Sequence, residues 1–365
     1  MADAAKALNE KLQGYALGGV LSLSIALGIQ LNLFEAVGEI SSEDHPVTAD
    51  EVADKAGCKP RYVQEWLSTM ACADIFGVTE DGVNFWMPAS SKSVLCANPR
   101  SPAMQFNMFS HQFGLVFASI ANVFRKDGPL GTSYDQYTGF YKEMSDLSKA
   151  LHGNCLISKF VPATGLQQQL ERGIKVLDVG CGNGFHVHML AEVFPNSRFD
   201  GIDNSVDAIL SATGTTSTKG LKNVHFARED AAHLPVTWTG QFDWVTIFDA
   251  CHDQTRPDLS LKEIHRVLKP GGVFSMLEVK GTSNVYLDKQ EDPYGSAFHY
   301  GISTFHCLPV GNSTPDALGL GTKWGEVRAR QLLEEAGFER IEIVPTPFYE
   351  GSSLYQSYKK LDASL

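Results

Sequence analysis

Three glycines at alternate positions, Gly180, Gly182 and Gly184, follow the run Val176-Leu177-Asp178-Val179. The apolar residues of that run read as a buried strand of a parallel sheet, and the glycines predict a sharp turn into a helix over 185–194. A side chain at the turn would keep a ligand away from the backbone. The start of the helix offers unpaired N–H groups to something anionic or polar. Further on, Arg198-Phe199-Asp200-Gly201-Ile202-Asp203 predicts a second strand ending in an acid. A carboxylate there suits a ribose diol, because it can accept from both hydroxyls. Together these residues could hold a nucleoside-containing cofactor.

The dinucleotide fingerprint requires a third glycine three residues after its second, and that position is Phe185. The pattern Asp-x-Gly-x-Gly-x-Gly instead resembles motif I of the class I S-adenosylmethionine (SAM) methyltransferases. Four further stretches resemble later steps of that family in order: Gly201 to Ser205, Glu229-Asp230-Ala231, the strand Phe242 to Phe248, and Leu268-Lys269-Pro270-Gly271-Gly272 before Val273 to Leu277. The resemblance implies an α/β fold with a Rossmann-like, seven-stranded, mostly parallel sheet closed by an antiparallel hairpin. It implies SAM as cofactor, with Asp178 beneath its methionine end and Gly180, Gly182 and Gly184 allowing backbone approach. Asp203 with Asn204 would hold the ribose, Asp230 would accept from the adenine amine, and Ala231 and Phe248 would lie against the cofactor.

Methyl transfer from a sulfonium is an in-line displacement, so the enzyme must align the acceptor and exclude water. A hydroxyl, thiol or ammonium acceptor must also lose a proton to a base. In the plant small-molecule O-methyltransferases a His-Asp step after the fourth strand supplies that base, and His252-Asp253 matches it, with Gln254 where a tryptophan is common. Histidine suits the task because its pKa lies near neutrality. A rival set, His299, His306, Cys307, Trp324 and Glu326, lies further on. Its His-Cys-Leu-Pro and Trp-Gly-Glu runs resemble a group of winged-helix methyltransferases of unassigned substrate. These residues would either face the acceptor or hold a loop against the core. No metal site is expected, because His299, His306 and Cys307 fit no standard zinc spacing. His186 and His188, two apart on a helix, face different ways.

The elements that must position these groups fill a chain of 365 residues, long enough for two domains. The boundaries read as 1–95 for an N-terminal helix and winged-helix dimerisation domain, 96–172 for a helical connector, and 173–365 for the SAM-binding domain. Residues 13–34 carry no charge but are interrupted by Gly14, Gly18, Gly19 and Gly28, which favours a buried interface helix over a membrane span. Thr48 before Asp50 and Glu51 predicts a capped helix, and Asp81-Gly82 predicts the tip of a two-stranded wing. From Thr48 to Asp74 five acids face three bases, a balance that phosphate would repel. With a net charge of −12, a homodimer is expected and no nucleic-acid or membrane partner. The connector's Phe106, Phe109, Phe113 and Phe117 recur at helical spacing, which mostly means core packing, and part of this aromatic-rich region, which also holds Phe124, Tyr134, Tyr137, Phe140 and Tyr141, would roof an acceptor pocket. Residues 280–325 read as a lid insertion. The seven scattered cysteines fit a cytoplasmic, reduced protein. The expected function is methyl transfer to a small molecule. The alternative is a SAM-binding winged-helix transcription regulator.

Overall fold

The computed structural model describes residues 2–361. Met1 and residues 362–365, at the outer ends of the first and last expected domains, lie outside that range. The chain divides into two compact units, Met1–Leu115 and Val116–Leu365.

In the first unit, helix α1 (Ala2–Gln30) leads into α2 (Leu33–Ile40), α3 (Ala49–Ala56) and α4 (Pro60–Cys72). A small antiparallel sheet joins β1 (Val47–Thr48), β2 (Gly77–Val78) and β3 (Asn84–Trp86) in the order β1-β3-β2. Thr48 caps α3 reciprocally with Glu51, satisfying two otherwise orphan N–H groups. Phe34, Trp66 and Phe76 form an edge-on aromatic cluster at 5.1–5.9 Å between centroids. Only the end of α1 reaches this core: a Cβ on Gly28 would lie 2.5 Å from the Trp66 ring, so glycine permits the approach. Within the single chain the rest of α1 is uncovered. Leu8, Leu12, Tyr15, Leu17 and Val20 are exposed, because the apolar residues circle the helix and the unit covers only its last turns. By length and composition alone the helix could cross a membrane.

The second unit is built on a seven-stranded sheet: β4 (Lys175–Val179), β5 (Arg198–Asp203), β6 (Val224–Arg228), β7 (Phe242–Phe248), β8 (Leu268–Val279), β9 (Arg340–Val344) and β10 (Ser352–Tyr358). Their order is β6-β5-β4-β7-β8-β10-β9. β10 runs antiparallel to β8 and β9, the expected closing hairpin. Between β7 and β8 the ladder passes from Phe242 opposite Leu268 to Trp244 opposite Val273, so the Lys-Pro-Gly-Gly stretch bulges within one long strand. In β4, Asp178 lies opposite Gly201 and Thr246. Residues 280–325 fold as three helices, Val285–Glu291, Pro293–Phe305 and Cys307–Gly311. Asn284 and Asp292 cap the first two. Asp288 anchors the segment, accepting from the Thr282 N–H at 2.9 Å and the Tyr300 hydroxyl at 2.8 Å.

Candidate functional site

The turn after β4 lies at the carboxyl ends of the central strands, where open α/β sheets bind ligands. Its three glycines serve different ends. Gly180, Gly182 and Gly184 all have positive φ, which a side chain would strain. A Cβ on Gly180 would meet Ala250, and one on Gly184 would meet the Phe226 ring at 2.4 Å, whereas one on Gly182 would meet nothing. The Gly182 N–H donates to Asp203 Oδ2 at 3.0 Å, and the Ser205 N–H donates to Oδ1 at 2.9 Å. Burial still raises the Asp203 pKa against these bonds. Below the turn, Asp178 is 3 % exposed and accepts from the Thr246 hydroxyl at 2.7 Å. Burial pushes its pKa up to about 7.

A cavity of about 580 Å³ opens over this turn, a size typical of small-ligand sites. Gly180, Gly182, Asp203, Asn204, Asp230, Ala231 and Phe248 line it. The Asp230 carboxylate also serves its own turn, accepting from the Ala232 N–H and facing His233 Nδ1, each at 2.9 Å. Across the cavity stand Tyr134, Phe140, Tyr141, His152, His186, Asp249 and Asp253. The Tyr134 hydroxyl donates to Asp253 Oδ2 at 2.6 Å. His186 lies flat on Phe248, centroids 3.8 Å apart, and meets His152 at 2.9 Å. Burial lowers the pKa of both histidines, to about 4 for His152. His188 faces away, toward Thr216.

Asp249, just past the end of β7 and without a role assigned from the sequence, has φ 47° and a buried Oδ1 with no hydrogen-bond partner. Burial, and then the Glu278 carboxylate, push its pKa up to about 7. His252 does not line the cavity. It is 3 % exposed, with Nδ1 2.5 Å from Glu278 Oε2. Against the desolvation that opposes it, the charges of Glu278 and Asp253 raise its pKa well above the ordinary value. His299, His306 and Trp324 stand outside the cavity too. His299 bonds back to the Gly295 carbonyl in its own helix. Trp324 donates to Glu278 Oε2 at 3.3 Å. His306 stacks on Phe140 at 4.2 Å, and burial lowers its pKa to about 4. Of the connector's aromatics, Phe109 stacks on Phe113 in the first unit, and Phe117 lies against Phe305 in the second. Neither Phe109 nor Phe117 lines the cavity, which takes Tyr134, Phe140 and Tyr141 from the connector and Phe185 and Phe248 from the sheet domain.

Residues 170–306 match the methyltransferase-domain family, and residues 19–97 match the Rv2258c-like winged HTH domain. The chain is similar to the demethylmenaquinone methyltransferase of Staphylococcus aureus, with 30% identity over 199 residues, covering 53% of this chain and 79% of the relative. Two solved structures share the fold. One is human N-acetylserotonin methyltransferase in complex with SAM, with TM-score 0.68 and 15% identity over 97% of this chain and 98% of that one. The other is a putative O-methyltransferase from Nostoc punctiforme, with TM-score 0.68 and 16% identity over 97% and 98%. This chain belongs to the class I SAM-dependent methyltransferases, and its N-terminal domain is a winged helix. Its cofactor is SAM.

Proposed function

We propose that the protein transfers the methyl group of SAM to a small-molecule acceptor by in-line displacement. What carries this reading is one cavity that joins the glycine turn and Asp203 to a buried aromatic and carboxylate face. Asp203, fixed by two backbone N–H groups, accepts from the ribose hydroxyls, with Asn204 beside it. Asp230 and Ala231 flank the adenine, and Phe248 backs the cofactor. Gly180 and Gly182 admit it to the backbone above Asp178, while Gly184 makes room for the Phe226 ring beside the turn. On the opposite side, Tyr134, Phe140 and Tyr141 enclose the acceptor and keep water out. Of the His252-Asp253 step only Asp253 reaches the cavity. His252 holds Asp253 ionised and Tyr134 bonds it, which makes that carboxylate a weak base that orients the acceptor. Asp249, with an unpartnered oxygen on the same wall, takes the acceptor's proton. A general base works best with a pKa near the operating pH.

The chain acts in the cytoplasm as a homodimer, in which the exposed apolar residues of α1 are covered by a second copy, with no nucleic-acid or membrane partner. The test incubates the protein with methyl-labelled SAM and a panel of phenols, thiols and amines. Label should move to one acceptor class, and light scattering should give twice the chain mass. SAM binding without transfer, joined to a SAM-dependent shift of DNA on a gel, would overturn the reading in favour of a regulator.

A further inference from the structure

Behind the cavity wall, three ligand-type atoms converge. His252 Nε2 lies 3.4 Å from Asp253 Oδ1, and the ligand atoms of His252, Asp253 and Cys307 all fall within 4.8 Å of one another. The other face of the imidazole is committed. Glu278 Oε2 meets Nδ1 at 2.5 Å and accepts from the Trp324 indole at 3.3 Å, while its Oε1 accepts the Cys251 N–H at 3.0 Å. With Nδ1 committed to Glu278, Nε2 is left facing a carboxylate oxygen and a sulfur.

A buried carboxylate needs a cation beside it. A proton on Nε2 is one candidate, but Asp253 Oδ1 finds no hydrogen-bond partner at this geometry. A metal ion fits better. Bonds of about 2.0–2.3 Å to N, O and S in a tetrahedron separate the ligand atoms by about 3.3–3.6 Å, and the 3.4 Å pair falls in that range. A carboxylate fixing the far nitrogen of the imidazole is the usual support of a metal-bound histidine.

We propose that His252 Nε2, Asp253 Oδ1 and Cys307 Sγ bind one divalent transition metal, zinc by ligand type, with Glu278 as the positioning residue. The mixed nitrogen, oxygen and sulfur set suits zinc better than magnesium or calcium. Three protein ligands leave a fourth position for water or for an acceptor atom from the cavity, which Asp253 lines. The site also ties the helix Cys307–Gly311 to the segment after β7. Two of the ligands are adjacent and Cys307 lies far downstream, so no zinc spacing announces them. The proposal stands apart from the assignment of any residue to SAM.

The test purifies the full chain without chelator and measures metal by mass spectrometry, then strips it and reloads it with cobalt(II). About one zinc per chain is expected, with tetrahedral cobalt absorption and a thiolate-to-cobalt charge-transfer band. Cys307→Ser should abolish the charge-transfer band, and His252→Gln should cut metal content at least tenfold. Circular dichroism and SAM titration report whether each variant folds. A folded wild-type chain that takes up neither zinc nor cobalt overturns the proposal, as does a charge-transfer band that survives in folded Cys307→Ser. Metal uptake without SAM binding would instead strike at the proposed function and leave the metal site standing.

Discussion

The two walls of the cavity are built from different materials. The wall over β4 and β5 is mostly backbone: a glycine turn, its N–H groups and one carboxylate already held by the N–H groups of Gly182 and Ser205. The opposite wall is made of side chains from distant segments, 134–152, 248–253 and 310–313, and it concentrates titratable groups out of water. Backbone donors keep their geometry when neighbouring residues change, so the first wall suits a ligand that never varies. A side-chain wall can be re-cut residue by residue, which suits an acceptor that differs between enzymes.

Three substitutions would break or sharpen that contrast. The largest effect is expected from Asp249→Asn on the side-chain wall. Removing a general base should lower kcat by about 10²–10⁴-fold, with SAM affinity in calorimetry changed little. An unchanged kcat would move the base elsewhere. On the backbone wall, Asp203→Asn keeps an acceptor for one N–H but loses charge-assisted bonds to ribose. SAM affinity should fall by roughly ten- to a hundredfold, while kcat at saturating SAM stays near wild type. A loss in kcat alone would contradict the division.

The smallest effect concerns Asp178, beneath the glycines. Its pKa of about 7 in the folded protein lies above the unfolded value near ~3.9. The native state therefore binds more protons between those limits, and its stability falls as pH rises through them and levels off above. Asp178→Asn, which can still accept from Thr246, should remove that slope. Cofactor-free melts should show the variant gaining on wild type from about pH 5 to about pH 8, by on the order of 1–4 kcal/mol. A parallel pH profile in both proteins would exclude an ionisable Asp178 as the source.

The backbone wall was legible in the sequence because its constraints are local. Positive φ at alternate residues demands glycine, and an acid closing a strand signals its own position. The strands β4 to β8 and the capped α3 were legible for the same reason. The side-chain wall was not. Nothing in Asp249 or Glu278 as letters tells that they lie buried beside His252, and Tyr134 reaches Asp253 across 119 positions of sequence. His252 was found by resemblance, yet its depth behind Asp253 depends on Glu278 from the neighbouring strand. For helix α1 the apolar sequence states that a surface wants cover, not what covers it.

The hydrogen bond between Thr246 and Asp178 has one more consequence. It joins the two central parallel strands at one rung, beneath the ligand turn. Side chains alternate along a strand, so a slip of one residue would swing Asp178 to the opposite face. The carboxyl would then enter packed hydrocarbon with no hydroxyl to meet it, at a cost of several kcal/mol. Apolar residues such as Leu177 and Val245 could tolerate such a slip, being greasy on either side. The polar pair cannot, and so it acts as a key that rejects misaligned pairings during assembly.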